Sequence, residues 1–265
     1  MNKKTLLTIS TFLIGLAAGL AIREISSLEA KAISAIPRNE FSIANGPKSL
    51  PKSFQLIQRS CYSLNYDCRT RNASWVYERI TADSLKGNVD RESFKFKEDP
   101  AIPEIFRSTL KDYQGSGFDR GHLAPAANQR NNAEAMADTF YLSNMSPQMP
   151  QFNRGYWSKL EKHVRNLTNS YESVEVFTGP LFLPQEDKNG SRWVRYQVIG
   201  QNDVAVPTHF YKVIVLGNYL GTKNVEAYIL PNEAIETGTP LNKFKVTVQK
   251  VERAAGMIFF SDQLL

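Results

Sequence analysis

Cysteine is scarce in this chain: Cys61 and Cys68 are the only two in 265 residues. That excludes a disulfide framework and a structural zinc site built on thiolates. The two are read either as ordinary thiols or as a single pair that an oxidising compartment would form. Also missing are a glycine-rich phosphate loop, a dinucleotide-binding fingerprint and any internal repeat, which removes the usual nucleotide-binding and solenoid readings. Acid is the minority charge. Lys and Arg total 32 against 26 Asp and Glu, a formal net charge of +6. Such a balance makes an anionic partner such as nucleic acid plausible, although many basic proteins bind none.

The length suits one sizeable domain with a real core. Asn2, Lys3 and Lys4 precede an uncharged apolar run from Leu6 to Ile22, ended by Arg23. Residues 1–24 are therefore expected to be a targeting segment or a membrane anchor outside the fold. Ala30-Lys31-Ala32 is a late and imperfect cleavage site, and sequons at Asn72, Asn144, Asn166 and Asn189 bear on the destination. A glycan at Asn144 would fall within the region that carries the chemistry, which speaks against a glycosylating pathway. Residues 25–52, with Pro37, Pro47 and Pro51 and no sustained period, read as a linker, and 53–265 as the domain.

Within the domain, Tyr62 to Asp67 and Ser74 to Ile80 read as two strands joined by a short basic turn holding Arg69 and Arg71. Asp83 to Pro103 is charged and irregular. Ser173 to Leu183, Trp193 to Ile199, Thr208 to Leu216 and Val225 to Leu230 are rich in β-branched and aromatic residues and are expected to be strands. Lys243 to Phe260 is expected to form a short strand and then a helix packed on the sheet. The class is α+β, a mostly antiparallel central sheet with helices on its faces.

The chemistry concentrates between Asp119 and Arg165. His122 closes the run Phe118-Asp119-Arg120-Gly121 at the end of an expected strand, where Gly121 would let another element come close. An imidazole with an ordinary pKa of about 6.5 takes a proton from water at neutral pH, but a lone histidine is more often structural. His163 and His209 receive that structural reading. Downstream, Thr139 to Met145 is expected to be a strand ending near Asn144, followed by an irregular connection through Pro147 and Pro150. A helix over Tyr156 to Asn169 follows, with Trp157, Leu160, Val164 and Leu167 as its buried stripe. Asn153 stands at the helix entry and Glu161 on its second turn. An amide oxygen with a carboxylate nearby suffices for magnesium, which keeps most of its water. Taken singly, Asn153 is equally an ordinary N-cap and Glu161 an i,i+4 partner of Arg165.

The runs DRGH, TFYLSNMSPQ and NRGYW with its following Leu160-Glu161 resemble the DNA/RNA non-specific ββα-metal (His-Me finger) endonucleases, and within them the endonuclease G group. The likeness extends to YDCRTRNASWVYERI at 66–80 and through the strands to Leu230. It implies that His122 is the general base, Asn153 the direct ligand to Mg2+ or Mn2+, and Glu161 the acid that orients the ion's waters. It places Arg120 and Arg165 near the scissile phosphate, makes Asn144 a residue of the substrate site, and makes Arg69 or Arg71 a substrate contact. Asp119 fits a supporting role. The implied reaction is hydrolysis of DNA and RNA to 5′-phosphate ends. The implied assembly is a homodimer, with the N-terminal apolar run available as a membrane tether, and the implied place is the mitochondrial intermembrane space or inner membrane, with secretion or a periplasm as the alternative. Two rival functions share parts of the pattern. A catalytically inactive, membrane-tethered nucleic-acid-binding protein leaves His122, Asn153 and Glu161 without a purpose, and a phosphodiesterase of small substrates makes poor use of the basic surface.

Overall fold

The computed structural model describes residues 54–217 and 223–260. The expected targeting segment at 1–24 and the expected linker at 25–52 lie outside the described residues. The backbone of the domain is an antiparallel seven-stranded sheet. Its members are β1 (Phe54–Gln58), β2 (Tyr62–Asp67), β3 (Asn72–Ile80), β6 (Ser173–Leu181), β11 (His209–Gly217), β12 (Lys223–Pro231) and β13 (Lys245–Val246), in the order β1-β2-β3-β6-β11-β12-β13. Outside it, β4 (Asp119–His122) pairs with β5 (Met145–Gln148), β7 (Gln185–Glu186) with β8 (Arg192–Trp193), and β9 (Val198–Ile199) with β10 (Val204–Ala205). The helices are α1 (Leu110–Tyr113), α2 (Ala133–Asp138), α3 (Ser158–Leu167) and α4 (Val248–Ala255), with several single-turn segments between them.

The strand patterns follow from what each face meets. In β2 the aromatic and aliphatic residues Tyr62, Leu64 and Tyr66 alternate inward with polar partners outward. Central β11 is buried on both faces and reads as an almost continuous apolar run, HFYKVIVLG, broken only by Lys212. One face of the sheet, through Val76, Val176, Phe210 and Ile214, packs against Phe152, Trp157, Leu160 and Val164 of the α3 region. The opposite face, through Tyr211, Val213 and Ala227, is covered by Val248 and Val251 of α4. Helix α4 is capped by Thr247, whose hydroxyl accepts from the Lys250 amide, and ends at Gly256 in the left-handed conformation. The short strand and closing helix expected over Lys243 to Phe260 are β13 and α4.

Three local expectations are corrected. The stretch Thr139 to Met145 is not a strand: Leu142–Asn144 form a 3₁₀ turn, and the strand starts at Met145 and runs to Gln148. Its apolar side chains Phe140, Leu142 and Met145 are buried as a folded-back loop, and apolarity alone does not separate a buried loop from a buried strand. Pro147 is accommodated inside β5 because only β4 pairs with this strand. The Trp193 to Ile199 run is two short strands, not one, because Val194, Tyr196 and Val198 face solvent, with no long partner strand to extend the ladder. The helix expected from Tyr156 begins earlier, with Phe152–Trp157 as a π-helical turn that leads straight into α3.

Candidate active site

Strands β4 and β5 and helix α3 form one hairpin-and-helix unit seated on the sheet. The hairpin register is Arg120 opposite Pro147 and His122 opposite Met145. Gly121 is needed there, because a Cβ would run into the Gln148 side chain. Three bonds fix the chain around His122. The Trp157 indole N–H donates to the His122 carbonyl at 3.4 Å, the Leu123 amide donates to the Asn144 carbonyl at 3.0 Å, and the Ala124 amide donates to Asn144 Oδ1 at 2.9 Å.

The imidazole of His122 is buried, and its Nε2 has no hydrogen-bond partner among the described residues. Phe96 and Phe140 enclose it, with ring centroids 5.6 and 5.3 Å away, Phe140 edge-on. The same two rings carry arginines on their outer sides. Arg120 lies over Phe96 at 4.5 Å and Arg91 over Phe140 at 5.8 Å. Burial, with the Arg91 charge added, holds the His122 pKa down at about 3, so the ring is neutral at physiological pH. A neutral, desolvated imidazole with a free ring nitrogen is a proton acceptor waiting for a donor.

Asn153 stands in the π-helical turn rather than as an N-cap. Its Nδ2 donates to Asp119 Oδ2 at 2.9 Å, and Arg154 clamps the same carboxylate from the other side, Nε to Oδ2 at 2.8 Å and Nη2 to Oδ1 at 2.6 Å. Although partial burial opposes it, bonding to Arg154 and Asn153 keeps the Asp119 carboxyl below its ordinary pKa, hence charged. Because the NH2 end is committed to Asp119, the amide oxygen is the end left for a ligand, and no described residue donates to it. Asn153 lines a cleft of about 780 Å³ together with Arg91, Phe96, Tyr113, Asp119, Arg120 and Arg154. Among the described residues no three His, Cys, Asp or Glu side chains gather as a metal cage, so a divalent cation fits only as a hard ion held by an amide oxygen, water and substrate.

Glu161 is half-buried as a residue, with its carboxyl deep. Burial raises its pKa, against the pull of Lys212, Arg165 and Arg91. Arg165 donates through Nη1 to Asn128 Oδ1 at 3.3 Å, and Asn128 Nδ2 donates to the buried Glu78 at 2.9 Å. Arg120 and Asn153 share the lining of the cleft; His122, Glu161 and Arg165 do not line it, and the link from His122 to the helix runs through the Trp157 indole.

Three residues stand differently from expectation. Asn144 does not face substrate: it is wholly buried, and its amide is used up by the Ala124 amide and by the carbonyls of Ala124 and Thr139. It shapes the site by bracing the loop after His122. Arg69 and Arg71 sit at the β2–β3 turn and line none of the Asn153 cleft; Arg69 borders a smaller depression with Asp67, Thr70 and Pro180. Conversely, Arg91 was missed. It lies in the charged stretch read as irregular, on a 3₁₀ turn at Arg91–Ser93, and only the fold brings it to the cleft. Its one sequence signal is the neighbouring pair Phe94 and Phe96, too weak to separate it from solvated arginines. His163 and His209 keep structural roles, beside Glu226 and Thr208 respectively. Cys61 and Cys68 are both free.

A histidine-bearing hairpin followed by a helix that opens on Asn153 defines a ββα-metal nuclease fold. The comparisons agree. The family model for DNA/RNA non-specific endonuclease matches residues 44–264. Human mitochondrial endonuclease G is 49% identical over 210 residues, which cover 79% of this chain and 71% of that protein. Nuclease C1 of Cunninghamella echinulata var. echinulata is 51% identical over 227 residues, 84% of this chain and 89% of the relative. Among solved structures, a chain of the EndoG/EndoGI complex superposes with a TM-score of 0.78 at 45% identity, covering 82% of this chain and 91% of that one. The chain belongs to the DNA/RNA non-specific endonuclease family.

Proposed function

We propose that this chain is a metal-dependent, sugar-non-specific endonuclease that hydrolyses phosphodiester bonds in DNA and RNA and leaves 5′-phosphate ends. The observation that carries the reading is the buried, unpartnered and neutral His122, on the hairpin that Trp157 ties to the helix bearing Asn153. Asn153 Oδ1 would hold Mg2+ or Mn2+, with Glu161 orienting the water around it. Such an ion, when bound, supplies positive charge for a non-bridging phosphate oxygen and for the departing 3′ oxygen.

His122 Nε2 takes a proton from the attacking water. A new bond forms from that water's oxygen to phosphorus as the bond to the 3′ oxygen breaks; the departing oxygen takes a proton from solvent, leaving a 3′-hydroxyl and a 5′-phosphate. Arg120 and Arg91 meet the charge that builds on the phosphate, held in place by the rings of Phe96 and Phe140. Arg165 braces this arrangement through Asn128, and Arg69 and Arg71 reach phosphates farther along the strand. Because water and not the ribose 2′-hydroxyl attacks, DNA and RNA are equivalent substrates. The mitochondrial relatives support a mitochondrial address, which the segment at 1–24 would serve, and the assembly proposed is a homodimer. N-terminal sequencing of the mature protein and sedimentation measure these two points.

The test is digestion of supercoiled plasmid and of RNA, with Mg2+ or with a chelator, by the native chain and by His122→Ala. The native chain is expected to cut both substrates only with the ion, and the variant to lose about 100- to 10,000-fold in kcat while still binding DNA. Near-native digestion by His122→Ala would refute the assignment.

A further inference from the structure

Lys212 is the one charged residue in the apolar run of the central strand, and it is 1% exposed. Burying an ammonium costs several kcal/mol unless its protons and charge are met, so an apolar side chain here would be cheaper for folding alone. Its position is informative. With Phe210 and Ile214 it shares the sheet face on which the hairpin and α3 sit. Its Nζ donates to Thr178 Oγ1 at 2.7 Å on neighbouring β6, reaches the Leu123 carbonyl at 3.5 Å, and lies 4.8 Å from the Trp157 ring centroid. An ammonium has three protons, and these three contacts run to the sheet, to the residue after His122, and to the helix.

The two carbonyls that flank the His122–Leu123 link are therefore held by separate devices, His122 O by the Trp157 indole and Leu123 O by Lys212. Compensating charge comes from Glu78 and Glu161, both close enough to act on the ammonium. Glu78 is tied through Asn128 to Arg165, so the network runs from the middle of the sheet to helix α3. Lys212 does not line the cleft, and its loss is not expected to change how substrate is held.

We infer that Lys212 is a positioning residue of the site: pegged to Thr178, its ammonium fixes the Leu123 carbonyl and the Trp157 ring, and so sets the His122 strand against the helix that carries Asn153 and Glu161. The rival account is that Lys212 merely neutralises the buried Glu78. This inference rests on the nuclease reading for its kinetic readout, and a second readout stands apart from activity.

The experiment compares Lys212→Met, Glu78→Gln, the double variant Glu78→Gln/Lys212→Met, and Thr178→Val in the full chain. Plasmid cleavage, thermal midpoint and the imidazole NMR resonances are measured; with three histidines in the chain, a His122→Gln control assigns the ring signals of His122. Lys212→Met is expected to lower kcat about 10- to 100-fold with KM within about twofold, as misplacement of a reacting group does. In the double variant, where neither charge is left alone, the thermal midpoint recovers, while kcat stays about 10- to 100-fold below that of Glu78→Gln and the His122 ring signals stay shifted. Thr178→Val keeps the charge and removes the peg, and it lowers kcat in the same direction. Should Lys212→Met fail to fold, the double variant and Thr178→Val carry the comparison. A double variant with kcat and ring signals equal to those of Glu78→Gln overturns the inference. If the native chain does not cut, the nuclease reading fails by itself, and the ring signals alone decide for or against Lys212.

Discussion

Asp119 serves two partners with one carboxylate, accepting from the neutral Asn153 amide and from both arms of the Arg154 guanidinium. Its effect is directional: it consumes the NH2 end of Asn153 and leaves the oxygen. Asp119→Asn weakens both bonds and lets the amide turn. The expected result is a rise of about tenfold in the Mg2+ concentration at half-maximal activity, measured by metal titration, because partners of a metal ligand typically set its affinity on that scale. Arg154→Ala removes both guanidinium bonds to Asp119 but leaves the carboxylate's bond to Asn153, and it is expected to shift the same titration less, since the guanidinium is exposed and screened. His122 yields a pH prediction. Its folded-state pKa, about 3, lies below the ordinary 6.5, so protonation favours the unfolded chain. The stability it contributes is fully present above pH about 6.5 and is lost progressively as pH falls toward 3. Phe96→Ala opens the aromatic enclosure to water and is expected to move the imidazole titration up toward its ordinary value, read by NMR. At this scale the sequence was informative where residue type dictates chemistry. Histidine, asparagine and glutamate at 122, 153 and 161 took their proposed roles from the family resemblance of the runs that hold them. Arg91 did not, since its task depends on Phe140, forty-nine positions away along the chain, and the buried, self-satisfied Asn144 does not differ in sequence from a surface ligand.

Elements were legible in proportion to how far their pattern comes from burial. Strands β2, β3, β6, β11 and β12 alternate or run apolar because the sheet faces demand it, and these were readable within a few residues. The π-helical turn at Phe152–Trp157 was not, because FNRGYW, with Gly155 and only one strong helix former, favours no particular kind of turn; in the fold Phe152 and Trp157 both pack on Phe210. The same packing is the joint between site and scaffold. Trp157 is wholly buried, lies tilted against Phe152 with ring centroids 5.4 Å apart, and donates to the His122 carbonyl. Trp157→Ala is expected to cost about 3 to 5 kcal/mol of folding stability by opening a cavity at this joint. Trp157→Phe, which fills most of the space and drops only the indole donor, is expected to cost about 1 kcal/mol. Urea denaturation of the two variants distinguishes packing from the hydrogen bond: equal losses would mean that the indole N–H, not the ring volume, ties hairpin to helix.

Across the whole molecule, one sheet separates two jobs. The α4 face closes the core with apolar contacts, whereas the other face carries the hairpin, the cleft and the buried charges of Glu78, Lys212 and Glu161. Basic residues then decide how the substrate arrives. Arg91, Arg120 and Arg154 line the cleft, and with a net charge of +6 the chain meets a polyanion whose condensed counterions are released on binding. Binding free energy of that origin depends on salt and not on sequence. Measured with His122→Ala, so that substrate survives, duplex affinity is expected to fall linearly on a log–log salt plot, with a slope of about −0.9 for each phosphate neutralised. Arg91→Ala and Arg120→Ala should each flatten that slope by about 0.9 if each side chain meets one phosphate, and the flattening should be the same for duplexes of unrelated sequence. Arg69→Ala reads the periphery in the same plot: a slope change equal to that of Arg91→Ala would place a phosphate at the β2–β3 turn, and an unchanged slope would confine the bound strand to the cleft beside Asn153.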